Sequence, residues 1–381
     1  MIARDEFAAW LRLVETPGVG RESARRLLSA FGSPEAVLGA STVARKAVVG
    51  SVAASALANE PAGFDALLEA TLAWLGGGTA GDAPPRDVLV LGDPRYPAAL
   101  LQTADPPTLL YTQGRVELLA SDAIAIVGSR NPTAQGVENA RAFAAHLSRA
   151  GLVVVSGLAL GIDGAAHEGA LEGACAPGAA GGGSTIAVVG TGLDRIYPAR
   201  HRALAHRIAA QGLIVSEFSI GTPSLPENFP IRNRIIAGLA RGTLVVEAAL
   251  QSGSLITARL ALEAGREVFA IPGSIHSPQA RGCNVLLKQG AKLVDSAADI
   301  LEEFSAARPG VSAARPSAEA ADAAREDPLL AALGFDPIGL DALLARTGYG
   351  AAELSARLLD LELEGRVARM PGQVFQRVER S

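Results

Sequence analysis

Cysteine is nearly absent. The 381 residues hold two, Cys175 and Cys283, with no CxxC spacing. A disulfide framework or a cysteine zinc site therefore has no support, and a reducing compartment is the simpler context. Charge is sparse too, at 19% against 49% hydrophobic residues, the reverse of the balance that keeps a chain disordered. Apolar runs stop short of the roughly 18 residues that a membrane span needs. The longest, around 151–166, is broken by Asp163. The first residues, MIARDEFAAW, carry Asp5 and Glu6 and no apolar signal-peptide stretch. A cytoplasmic protein without a membrane partner is expected. A global excess of positive charge is also missing: the net charge is -5. Any surface for a nucleic acid must therefore be basic locally. No Walker A, HExxH, GxSxG or paired-carboxylate motif occurs. Nothing calls for an enzyme, a metal or a cofactor.

What is present has a clear order, and the length favours two or three domains. Residues 1–75 show helical spacing (Phe7, Trp10, Leu11, Val14; Leu27, Leu28, Phe31). The small-residue stretch 76–85 marks a boundary. From 86 to 304, short β-branched runs alternate with amphipathic segments. Strands are predicted at 88–91, 123–127, 153–156, 186–189, 214–216, 244–246 and 268–271. Most are apolar without alternation, as expected where both faces of a parallel sheet are buried. Repeated βα units imply an α/β, doubly wound, mostly parallel sheet that binds ligands at the carboxyl ends of its strands. Residues 305–326 lack apolar periodicity and read as a flexible linker, after which 327–381 resumes helical spacing.

The turns after the strands carry the candidate chemistry. Gly128-Ser129-Arg130 follows the second predicted strand and precedes a helix starting near Pro132 or Thr133. Gly128 permits close backbone approach, the helix start offers unpaired N–H groups to an anion, and Arg130 adds a planar donor. The plainer alternative is an ordinary turn with a surface arginine. Ser156-Gly157 opens the next turn, with Asp163 a candidate N-cap and His167 about one turn later. Capping and helix packing explain that pair better than catalysis does, since no nucleophile or ligand set accompanies it. After the strand at 186–189 comes Gly190-Thr191-Gly192, which lacks the third glycine of a dinucleotide fingerprint. From 185 to 241 seven arginines (195, 200, 202, 207, 232, 234, 241) face three acids (Asp194, Glu217, Glu227), a local +4. With Tyr197, Phe218 and Phe229 interleaved, this suits single strands whose bases stack on rings, unless it is only a solvated arginine face. Ser252-Gly253-Ser254 heads the helix after the strand at 244–246 and forms a second phosphate cradle.

Taken in order, GSRNPT, SGLALGIDGAAHEGAL, VVGTGLDRIYP, FPIRNRIIAGL, VVEAALQSGSLITARLALEAGREVFAIPG and RGCNVLLKQGAKLV resemble the DprA (Smf) family, the DNA-processing proteins of bacterial transformation. The match runs over about 86–300. Thr16–Gly20 with the helix after it resembles that family's helix-hairpin-helix or SAM-like N-terminal domain, and 327–381 its winged helix. The resemblance implies an extended Rossmann domain that binds single-stranded DNA, forms a homodimer and helps to load the RecA recombinase. It implies that Arg130 clamps a phosphate, that Ser129, Ser156, Gly157, Ser252, Gly253 and Ser254 line the same pocket, and that Arg232 and Asn233 support its far wall. The dimer contact is implied around 284–294, with Asn284, Leu287 and Val294. Many relatives carry a lysine directly after the Tyr-Pro pair, where this chain has Ala199; Arg200 or Arg202 would replace it. The segment 173–184 is longer than usual and is expected to be a disordered surface insertion. Two rival readings remain. One is a phosphoribohydrolase-like nucleotide enzyme, against which QSGSLITA stands where PGGxGTxxE would be needed. The other is a winged-helix regulator of duplex DNA.

Overall fold

A computed structural model of the chain describes residues 2–79, 83–181, 183–306, 327–334 and 337–378. The chain begins with helices α1 (Arg4–Glu15), α2 (Arg21–Phe31), α3 (Pro34–Gly39), α4 (Thr42–Ala56) and α5 (Phe64–Gly76). Strand β1 (Arg86–Val90), helix α6 (Ala98–Leu101) and strand β2 (Leu109–Gly114) follow. Then come β3 (Ala123–Val127), α7 (Ala134–Arg149), β4 (Val153–Ser156), α8 (Ile162–Cys175), β5 (Ser184–Val188), α9 (Arg202–Gln211) and β6 (Leu213–Ser216). The second half of the sheet is built by α10 (Asn228–Leu239), β7 (Gly242–Val245), α11 (Gly253–Glu263), β8 (Glu267–Ala270), α12 (Arg281–Lys288) and β9 (Lys292–Leu293), and α13 (Ala297–Ala306) closes it. A winged helix follows: α14 (Pro328–Leu333), β10 (Ile338–Gly339), α15 (Leu340–Thr347), α16 (Ala351–Leu363), β11 (Val367–Met370) and β12 (Val374–Arg377).

The nine-stranded sheet has the order β1-β2-β6-β5-β4-β3-β7-β8-β9. It is parallel except where β2 pairs antiparallel with β1 and with β6. The expected extended Rossmann-like architecture is thus present. Two strands escaped the sequence reading. β2 carries a polar half, and β9 is two residues long, too short for any periodicity. Side chains alternate across the sheet as a pleat requires. From β3, Ala123, Ala125 and Val127 enter the core beneath α10–α12, while Ile124 and Ile126 pack under α7, α8 and α13.

The N-terminal helices do not keep their hydrophobic surface to themselves. Phe7, Trp10, Phe64 and Trp74 join Val88, Tyr111 and Ile214 of the sheet in one cluster. Leu13, Val19, Leu27, Val37 and Leu57 form a smaller core of their own. Polar contacts reinforce the seam: Asp105 Oδ2 lies 2.9 Å from both Arg21 Nε and Arg234 Nε, and Arg234 also pairs with Glu217.

Most of the linker expected at 305–326 falls outside the described residues, from 307 onward. The segment expected to be disordered differs from the reading. α8 continues to Cys175, the following turn is pinned where Ala180 N–H donates to Arg149 O at 2.9 Å, and β5 starts at Ser184.

Candidate nucleic-acid interface

Neighbours of β3 leave in opposite directions through the sequence, β4 on one side and β7 on the other. Such a switch point opens a crevice beyond the strand ends. The turns after β3 and β7 meet there, joined by Ser129 N–H donating to Glu247 O at 2.8 Å. Above them lies a cleft of about 480 Å³. Of the expected site residues, Gly128, Ser129, Arg130, Arg232, Asn233, Ser252, Gly253 and Ser254 line it. Asn131, Gln251 and Thr257 line it too, as does Phe229, one of the rings the sequence pattern had marked for stacking.

Four expected residues lie elsewhere. Ser156 is fully buried, and its hydroxyl donates to Ile126 O at 2.7 Å. Gly157 is internal because the Arg232 guanidinium fills the space a Cβ would take. Arg200 and Arg202 are exposed, on the short 3₁₀ turn Ala199–His201 and the start of α9, outside the cleft. The local +4 is also smaller than the count implied. Arg234 is spent on Asp105 and Glu217, Arg241 lies 3.3 Å from Asp122, and Arg195 sits 3.7 Å from Asp194.

The two helix starts differ. α7 was expected to present free N–H groups, but three of the donors at its start are already engaged. Thr133 N–H donates to Glu247 Oε2 at 2.9 Å, Gly136 N–H to Thr133 Oγ1 at 3.0 Å, and Gln135 N–H to Gln376 Oε1 of the winged helix at 3.3 Å. Residue 136 must be glycine for this, since the Glu247 carboxylate occupies the place of a Cβ there. Burial holds the Glu247 carboxyl above the usual range. α11 is the open one. Ser252 caps it, with Ser254 N–H donating to Ser252 Oγ at 3.3 Å and the two hydroxyls 2.7 Å apart. Gly253 is exposed at its first position, where a helix provides no acceptor for the N–H.

Arg130 and Arg232 have different tasks. Arg130 is exposed, makes no ion pair among the described residues, and lies 5.7 Å from the centre of the Phe229 ring. Arg232 is 3% exposed; its Nη1 donates to Gly157 O at 2.6 Å and to Val188 O, and its Nε to Asn233 Oδ1 at 3.1 Å. Burial, with Arg130 nearby, brings its pKa down to about 10, so it stays charged at neutral pH. It knits the turn after β4 and the end of β5 to α10. Asp163 was expected to cap α8. Instead Gly161 holds the cap position, and Asp163 Oδ2 accepts from Gly157 N–H at 3.1 Å and Ala159 N–H at 3.3 Å, clamping the loop. Burial raises its carboxyl, against the pull of Arg232.

His167 packs as expected. It is fully buried, accepts from Leu158 N–H at 3.2 Å through Nε2, and shares a 2.7 Å bond between Nδ1 and Thr185 Oγ1. Burial pushes its pKa down to about 3. A base whose folded value is depressed binds protons mainly when unfolded, so its stabilisation is complete above roughly pH 6.5 and is lost as the pH falls toward 3. A His167→Gln variant is therefore expected to unfold more easily than wild type at pH 7. The gap should close at pH 4–5, as denaturant melts at both pH values will show. A constant gap would mean that the ring does not titrate as its burial dictates.

Comparison with known proteins decides the family. Residues 87–305 match the family described as DNA recombination-mediator protein A, and residues 313–373 match the DprA winged helix domain. The chain belongs to the DprA (Smf) family. It is 42% identical over 311 residues to Protein Smf of Escherichia coli, covering 80% of this chain and 79% of that one. It is 47% identical over 212 residues to DNA processing protein DprA of Streptococcus pneumoniae, covering 56% of this chain and 72% of that one. The solved Streptococcus pneumoniae DprA structure aligns with a TM-score of 0.65 at 35% identity, over 79% of this chain and 98% of that one. A Helicobacter pylori DprA structure, described for its single-stranded DNA binding mode, aligns at 0.52 and 30% identity, over 58% of this chain and 97% of that one.

The implied DprA dimer residues need one correction. Val294 is 1% exposed and belongs to the core beneath α13, so it cannot meet a second copy; Leu293 beside it is 57% exposed. Leu287 is half-buried against the core. The Asn284 amide is tied to Gly273, donating to its carbonyl at 2.9 Å. Both cysteines are free, Cys175 exposed and Cys283 buried. No helix among the described residues is long and apolar enough to cross a membrane.

Proposed function

We propose that this DprA-family chain binds single-stranded DNA by its backbone in the cleft at the switch point, without chemistry, and passes the strand to RecA as a homodimer. The observation that carries the reading is the convergence of exposed Arg130 with the open start of α11 at Ser252–Ser254 around one cleft. Backbone donors, hydroxyls and one free guanidinium suit a phosphate, and neutral donors make a high net charge unnecessary. The Phe229 ring beside Arg130 offers a face to a base, which an unpaired strand can present and a duplex cannot. Binding without chemistry is further supported by the nearby carboxylates. Asp163 is buried and Glu247 half-buried, and both are committed to backbone N–H groups, which leaves neither placed as a general base for nucleotide hydrolysis. The Helicobacter pylori relative, solved for its binding of single-stranded DNA, and the family's description as a recombination mediator support the partner assignments.

The test is a salt titration of oligo-dT and duplex binding. Log affinity for oligo-dT should fall linearly with log salt, with a slope of about -0.7 for each phosphate neutralised, and the duplex should bind more weakly at every salt. A salt-independent affinity, equal duplex binding, or release of free base from AMP would each overturn the reading.

A further inference from the structure

We propose that a second cavity, of about 330 Å³, is a nucleobase subsite for the strand held in the cleft. It rests on the backbone-binding reading and adds a base contact to it. The cavity lies between α5, the β1–β2 edge of the sheet and α9, and is lined by Trp74, Arg86, Gln113, Leu193, Tyr197 and His206. Its volume falls at the lower end of the range for small-ligand sites.

One of its polar side chains, Gln113, is unspent among the described residues. Arg86 Nη1 donates to Trp74 O at 2.8 Å, and its guanidinium carbon lies 5.3 Å from the centre of the Trp74 ring. Arg86 Nε is buried without a hydrogen-bond partner among the described residues. That nitrogen is closed off from the cavity, so the open polar group there is the Gln113 amide. Gln113 stands opposite Arg86 in the β1–β2 register, and its amide makes no hydrogen bond among the described residues. An arginine stacked on an indole, beside an amide that both donates and accepts, suits a flat heterocycle with ring-nitrogen and carbonyl acceptors.

The cavity and the cleft adjoin through a pair of rings. Tyr197 is 50% exposed on the cavity's rim, and its ring centre lies 5.5 Å from that of Phe229, which lines the cleft beside Arg130. Two rings thus bridge the sites, the arrangement on which successive bases of a single strand stack. Arg200, Arg202 and Arg207, which the cleft leaves unused, are exposed on α9 and the turn before it, and Arg202 shares the helix face of Ala205, His206 and Ala209, which line the cavity. They fit the phosphates of the strand beyond the bridge.

The test uses the full chain and three variants, Arg86→Met, Gln113→Leu and Arg130→Ala, with oligo-dT. Arg86→Met and Gln113→Leu should each weaken binding about tenfold, the effect of losing one well-held base, without changing the salt slope. A strand carrying 5-iododeoxyuridine should photocrosslink to Tyr197 or Trp74 as well as to Phe229. If both cavity variants bind like wild type while Arg130→Ala is weakened, the subsite falls and the backbone clamp stands. If Arg130→Ala also binds like wild type, the clamp itself falls. Saturable binding of thymidine monophosphate that Gln113→Leu abolishes, with strand affinity unchanged, would assign the cavity to a free nucleotide and overturn the strand subsite.

Discussion

Arg232→Met is expected to destabilise the protein by about 3–5 kcal/mol, the cost of removing one partner from a buried charged network. Methionine can fill much of the volume but donates nothing. The carbonyls of Gly157 and Val188 would lose their donor, Asn233 would lose its anchor, and the buried Asp163 carboxylate would keep only Arg130 as a nearby cation. The loss should be read in denaturant melts as a lower midpoint. Binding should fail in parallel, because Arg232 joins the loops that shape the cleft floor. The comparison with Arg232→Lys is informative: lysine restores the charge but not the fork that reaches two carbonyls and an amide, so a partial recovery of stability is expected. Near-wild-type stability in Arg232→Met would show that the guanidinium acts on the ligand and not on the fold.

That division of labour marks where the sequence was legible. Runs buried on both faces announce themselves, and Ala123–Val127 and Val153–Ser156 could be placed to the residue. The turns that follow such runs could be named as ligand-facing, because parallel topology fixes which end of a strand they occupy. Gly128–Arg130 and Ser252–Ser254 were found in that way, though 122 residues separate Arg130 from Ser252 in the sequence. What spacing cannot convey is which of several arginines is desolvated. Arg232 and Arg234 read alike as basic residues after an aromatic, yet one is a buried brace and the other an ion-pair partner in the seam with the N-terminal helices. Nor does a helix start reveal whether its donors are free. The N–H groups of Thr133 and Gln135 at the start of α7 are engaged by Glu247 and Gln376, 114 and 241 positions away, and only the folded chain brings such groups together. Asp163 shows the same gap on a smaller scale: a carboxylate near a helix start serves equally as a cap or as a clamp on the preceding loop, and the left-handed Gly161 decides for the clamp.

Arg130→Ala is the complementary experiment, with a large effect on binding and almost none on the fold. The side chain is exposed and without an ion pair among the described residues, and its ring contact with Phe229 is at the surface. Truncation should therefore move stability within the roughly 0.5 kcal/mol typical of surface changes. Affinity for oligo-dT should fall by about 1.5–3 kcal/mol, the value of a hydrogen bond to a charged group, which is roughly a tenfold to hundredfold loss. The salt slope should become shallower by about 0.7, one phosphate contact fewer. Arg130→Lys should keep most of that slope, since the charge remains, but recover only part of the affinity, since a point charge replaces a planar fork. A fall in affinity with an unchanged slope would mean that Arg130 holds a base through its stack on Phe229, and the cleft would then be a base-reading site instead of a backbone clamp.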